Sequence, residues 1–170
     1  MPKKVEYRLH PLGYEDDPEE ERLRLSTLDY LSACAWNNYA LFFKLNEEDK
    51  STTAAVLKEG LERTLSQCRH LVGTIEKNED GDHSFVKKRD STVGFTVQWL
   101  DSVEDTFPSF SDIEKSNFVS SGLGDPIVLS VSPMTYGEKP ECSANASPVI
   151  AAFQANFIPG GLIFNMHSHQ

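Results

Sequence analysis

Apolar and polar residues alternate through VEYRLHPL (5–12), with Val5, Tyr7 and Leu9 on one side, and this period of two predicts a half-buried strand. LSTLDYLSACAW (25–36) opens with Ser26 as a candidate N-cap and Asp29 three residues on, the start of a short helix. NYALFFKL (38–45) is compact and aromatic-rich, which favours a strand. In STTAAVLKEGLERTLSQCRHLVG (51–73), Val56, Leu57, Leu61, Leu65, Cys68 and Leu71 recur at helical spacing opposite Lys58, Glu59, Glu62 and Arg63, and Gly73 stands where a helix commonly stops. Two short strands should flank EDGD (79–82), because Asp-Gly suits the positive φ of a hairpin turn. VGFTVQWL (93–100) alternates again, with Phe95, Val97 and Trp99 against Thr96 and Gln98.

The stretch from Asp101 to Asp125 is polar and allows one short helix near SDIEKS (111–116). PIVLSVSP (126–133) reads as a strand and MTYGEKPECSANASP (134–148) as a loop. VIAAFQANF and LIFNMHSH then form two strands joined by IPGG (158–161), where Pro159 presets its φ and Gly160 supplies a positive one. The order is β-α-β-α followed by six strands, with no internal repeat. It predicts an α/β (α+β) sandwich: one domain over 1–170, one mixed sheet and few helices.

At 170 residues the chain is long enough for a real core. A net charge of −10 argues against nucleic acid and against anionic membrane surfaces. The acidic run EDDPEEE, Glu15 to Glu21, is expected to be a solvated loop. No apolar stretch approaches a membrane span, and the N-terminus has no hydrophobic leader segment, so the expected location is cytoplasmic. Cys34, Cys68 and Cys142 have no metal-ligand spacing and are expected to be reduced thiols. Asn145 in NAS matches a glycosylation acceptor that carries no weight without a secretory route.

The chemistry gathers at the last strand. Residues two apart point to the same face, so His167 and His169 project together. Three readings follow from that pair. It could hold a metal with further ligands among His10, His70 and His83, it could be hydrogen-bonded and structural, or one imidazole could act as a general base at the strand end.

Three segments in order carry a resemblance. LSTLDYL (25–31) is similar to the Leu-Ser-x-Leu-Asp opening of BAHD-type acyltransferases, and LKEGLERTLSQCRHLVGTI (57–75) to their first long helix and following strand. FQANFIPGGLIFNMHSH (153–169) resembles the segment that delivers their catalytic His-x-x-x-Asp, with NFIPGGLI especially like fungal trichothecene 3-O-acetyltransferases. The resemblance implies the N-terminal domain of a chloramphenicol-acetyltransferase-like fold, cut at the catalytic motif, with the second domain absent from this chain. It implies acyl transfer, acetyl foremost, from an acyl-CoA co-substrate to a small-molecule alcohol such as a sesquiterpene alcohol, with no bound cofactor and no metal.

His169 would then be the general base. Counted without gaps from IPGGLI, the family's histidine falls on Gln170, and His167 is the remaining alternative. The expected partner is the C-terminal half of the same enzyme or a second chain, docking on an apolar face that includes Leu162, Phe164 and Met166. Two other readings stay open: a condensation-type enzyme using a carrier-protein thioester, and a catalytically inactive half acting as a structural partner.

Overall fold

The computed structural model describes residues 3–26, 36–129 and 149–169, with the backbone alone at Trp36, Pro126 and His169. Its strands are β1 (Lys3–Leu9), β2 (Glu20–Arg24), β3 (Trp36–Lys44), β4 (Thr74–Lys77), β5 (His83–Lys88), β6 (Val93–Trp99), β7 (Ala151–Ile158) and β8 (Gly161–His169). Two helices, α1 (Lys50–Gln67) and α2 (Phe110–Lys115), accompany short 3-10 turns. Among the described residues the strands form two sheets rather than the single sheet expected. One has five strands in the order β1-β6-β7-β8-β3, and the other has three in the order β2-β5-β4. β6 and β7 run parallel and every other pairing is antiparallel, so the sheets are mixed and mostly antiparallel as expected.

The large sheet is covered on both faces. On one, Leu61 and Leu65 of α1 pack on Leu9, Phe95, Val97, Phe153, Phe157, Leu162 and Phe164. On the other, Phe110 and Ile113 of α2 join Leu100, Leu129, Ile158 and Ile163. Ser109 caps α2 by accepting from the Asp112 backbone N–H at 3.2 Å. The buried line of α1 runs through Lys50, Leu61 and Leu65, and Val56, expected on that stripe, is 61% exposed because, at about 3.6 residues per turn, it points about 140° away from Leu61. α1 ends at Gln67, and Gly73 follows a 3-10 turn in extended backbone. A Cβ on Gly73 would come within 2.2 Å of the Phe85 ring, so close packing rather than a left-handed cap accounts for the glycine.

The acidic run is mostly solvated as expected, but it is not loop throughout. Glu20 and Glu21 begin β2, opposite Lys88 and Lys87 of β5. The Lys87 ammonium is buried and reaches Asp17 and Glu21, each at 3.1 Å. Arg69 also pairs with Asp17 and holds its carboxyl below the usual aspartate range. Opposite charges across the ladder let a charged segment form a strand. Residues Pro126–Leu129 form a 3-10 turn where a strand was expected. The Asp125 side chain explains it by accepting from the Ile127 N–H at 2.9 Å, which turns the chain locally. The helix expected after Ser26, the rest of the 126–133 strand, the 134–148 loop, Cys34 and Cys142 lie outside the described residues. Among the described residues, no helix is long and apolar enough to cross a membrane.

Candidate active site

The site is built on the β7–β8 hairpin. Ile158 and Gly161 pair across a two-residue turn, with Gly160 at φ 70°, as the Pro-Gly sequence requires. Glu47 anchors that turn by accepting the Gly160 N–H at 3.0 Å, and it pairs with the buried Lys50 ammonium at 2.5 Å. From there β8 runs its full nine residues between β7 and β3, carrying the histidines to the far end of the sheet. A cleft of about 330 Å³ at the turn, lined by Lys44, Ser109, Ser111 and Glu114 among others, is therefore separated from residue 169 by the length of β8 (about 25 Å at a strand's rise per residue).

Alternation sorts β8 into two faces. Leu162 and Phe164 point into the core under α1, 2% and 9% exposed, with Met166 packed against it. The expectation that these three belong to a free docking face is therefore corrected: Leu162 and Phe164 are in the core cluster with Leu61 and Leu65 of α1, and Met166 packs against it. The exposed apolar stripe lies one strand over, on Tyr39, Leu41 and Phe43 of β3.

Ile163, Asn165 and His167 point the other way. His167 is 1% exposed, and its Nδ1 is hydrogen-bonded to Oδ1 of Asn38, its register partner on β3. An amide oxygen only accepts, so Nδ1 carries the hydrogen and Nε2 is the bare nitrogen. Nε2 has no partner. Burial lowers the imidazole pKa from 6.5 to about 4, because a charged ring would lose its water. His167 is thus a neutral, enclosed imidazole at neutral pH.

The backbone of His169 ends β8, opposite Trp36 of β3. Gln170 lies outside the described residues. The other histidines are elsewhere: His10 stacks on Tyr14 at 4.0 Å beyond β1, His70 lies in the turn after α1, and His83 opens β5 in the small sheet. The structure does not bring them to His167. Among the described residues, no three His, Cys, Asp or Glu side chains converge as metal ligands do.

Sequence reasoning missed a buried amide chain beside His167. Gln154 of β7 donates through Nε2 to Oδ1 of Asn156 at 2.7 Å and to the Val128 carbonyl at 3.0 Å. Asn156 donates through Nδ2 to Oδ1 of Asn165 on β8 at 2.9 Å. Gln154, Asn156 and Asn165 are all 5% exposed or less. The available signal was Gln154 and Asn156, two amides at alternate positions inside an otherwise apolar strand.

Comparison with known proteins places this architecture. Residues 36–170 match the model of the trichothecene 3-O-acetyltransferase-like N-terminal domain. The acetyltransferase FGR3 of Gibberella zeae is 61% identical over 171 residues, covering 99% of this chain and 34% of that protein. The acyltransferase clz6 of Cochliobolus lunatus is 30% identical over 156 residues, 88% of this chain and 29% of that protein. Among solved structures, TRI101 of F. graminearum, crystallised with coenzyme A and T-2 mycotoxin, superposes with a TM-score of 0.70 at 18% identity, over 87% of this chain and 34% of that one. Vinorine synthase gives a TM-score of 0.66 at 21% identity, over 99% of this chain and 38% of that one. These two structures share the fold, and the chain spans about a third of the length of the curated relatives it matches. With its mixed sheet, its covered β7–β8 hairpin and a family match over 36–170, the chain belongs to the trichothecene 3-O-acetyltransferase-like N-terminal domain family.

Proposed function

We propose that this chain is the N-terminal part of an acyl-CoA-dependent O-acyltransferase that moves an acetyl group to a hydroxyl of a secondary metabolite, with a sesquiterpene alcohol as the model acceptor. The observation that carries the reading is the 61% identity with an acetyltransferase across 99% of the chain. His169 is the base in this reading. It takes the acceptor's hydroxyl proton as that oxygen attacks the thioester carbonyl. The tetrahedral intermediate then expels the coenzyme A thiolate, which leaves as the thiol with the proton. A base of this kind is worth ~10²–10⁴ in rate.

Position favours His169 over the alternatives. It stands where β8 ends, whereas His167 is enclosed and its lone pair is weakly basic. At residue 170 a glutamine amide cannot act as a base at neutral pH. The partner in this reading is the remaining two-thirds of a full-length protein, and the Tyr39, Leu41 and Phe43 stripe, 43–54% exposed, is the apolar surface offered to it. The test is acetyl-CoA turnover by the full-length protein. His169→Ala should lower kcat at least ~100-fold while Gln170→Ala leaves most of it. Loss in the Gln170 variant alone would move the site by one residue.

A further inference from the structure

β7 stops pairing with β8 at Ala151, opposite Ser168, so among the described residues the backbone of His169 has a register partner only in Trp36 of β3. Among the described residues β3 is itself an end strand of the sheet. Its residues on the α1 side, Tyr39, Leu41 and Phe43, are 54%, 43% and 48% exposed and anchor it weakly. Among the described residues, the side-chain hydrogen bond joining β3 to β8 at this end is the one between Asn38 and His167. It lies two register rows inward from residue 169. Because the ring is buried and neutral, this bond holds without bringing a charge next to the site.

We propose that Asn38, acting through the imidazole of His167, is a positioning residue for the base at 169: the pair fixes β3 against β8 and so sets the height and direction of the last residue of the strand. Catalytic groups must be held within about 0.5 Å of their working geometry, and a strand end paired on one side frays beyond that without such a tie. The proposal rests on His169 being the base. It assigns His167 a purpose that the mechanism does not otherwise use.

The experiment compares variants of the full-length protein in acetyl-CoA turnover. Asn38→Ala and His167→Leu are each expected to lose ~10- to 100-fold in kcat, the scale of a displaced catalytic group, with KM for acetyl-CoA unchanged. His167→Asn puts an amide N–H where Nδ1 donates, and it should restore most of kcat. Asn156→Ala removes a buried amide bond elsewhere on the same face and should lower stability while leaving kcat intact. A second readout is backbone amide exchange at Ser168, whose N–H faces β3 opposite Asn37. It should quicken in Asn38→Ala while exchange at Ala155 does not. Unchanged kcat in Asn38→Ala, an equal loss in Asn156→Ala, or unchanged exchange at Ser168 would each overturn the proposal. A wild-type protein without transferase activity would show up before any variant is made, and it would bring down the base reading and this role together.

Discussion

On the α1 side of the β7–β8 hairpin stand Phe153, Ala155, Phe157, Leu162 and Phe164; on the other side stand Gln154, Asn156, Asn165 and His167, apart from Ile158 and Ile163 near the turn. Both sets are buried, on the same two strands, so backbone geometry does not distinguish them. The energetics do. Each apolar side chain removed from water stabilises the fold by about 1.5–3 kcal/mol whatever its neighbours' orientation. A buried amide contributes little net and costs about 1–3 kcal/mol when a partner is missing. The apolar face therefore holds the sheet together, and the polar face specifies one arrangement of it near His167.

The largest test of that contrast is Phe157→Ala. Phe157 is fully buried in the apolar cluster and stacks on Trp99 with ring centroids 5.8 Å apart. Truncation should cost about 3–5 kcal/mol, read as a fall in the urea midpoint. A loss under about 1 kcal/mol would mean that α1 collapses into the gap, and the apolar face would not be the close-packed one.

Acidification probes the other face. The unfolded chain takes up a proton on His167 near 6.5, the folded one only near 4. Between those values the unfolded state holds more protons, so His167 contributes a loss of stability as pH falls from about 6.5 to about 4 and none above. The full loss is on the order of 3 kcal/mol. It is measured as the difference between wild type and His167→Asn in urea unfolding at pH 7 and pH 4. Identical pH dependence in the two proteins would show that the imidazole is not held neutral by burial.

The same contrast explains what the sequence made legible. Alternation and helical spacing located β1, β6, α1 and the β7–β8 hairpin because those elements have an apolar side, and Pro159-Gly160 marked the turn. β2 was hidden because its pairing energy comes from Glu20 and Glu21 facing Lys88 and Lys87 on a strand remote in sequence. Alternation set Thr96 and Gln98 opposite the apolar positions of β6, and they are 4% and 7% exposed, since a sheet covered on both sides buries polar positions too. For the site, the sequence showed that His167 and His169 share a face. It could not show that Asn38, 129 positions away from His167, would enclose and bind one of them.

A smaller effect is expected from Asn156→Ala, about 1–3 kcal/mol, because it strands Oδ1 of Asn165 and removes an acceptor of Gln154. Replacing Asn156 and Asn165 together by leucine should cost less than the single change, since Asn165 then leaves no stranded oxygen and Gln154 keeps the Val128 carbonyl. Additive losses in the double variant, followed by thermal melts, would make the amide chain a net source of stability rather than of specificity.

The smallest expected effect comes from one register pair. Leu41 and Phe164 sit side by side on β3 and β8, facing the α1 side, but Leu41 is 43% exposed and Phe164 is 9% exposed. Burial rather than residue type sets the energy, so Phe164→Ala should cost about 3–5 kcal/mol, while Leu41→Lys in the 170-residue chain should shift stability by no more than about 0.5 kcal/mol. The lysine can lay its methylenes along the sheet and keep its charge in water. On an end strand such a charge also discourages edge-to-edge pairing between molecules, so light scattering should show less self-association in the variant. If the stripe is the docking surface, a full-length protein covers it, and there the same substitution should cost about 2 kcal/mol or more, because a charge would enter an apolar contact. Equal, negligible effects in the short and full-length proteins would remove the β3 stripe as the surface that meets the rest of the enzyme.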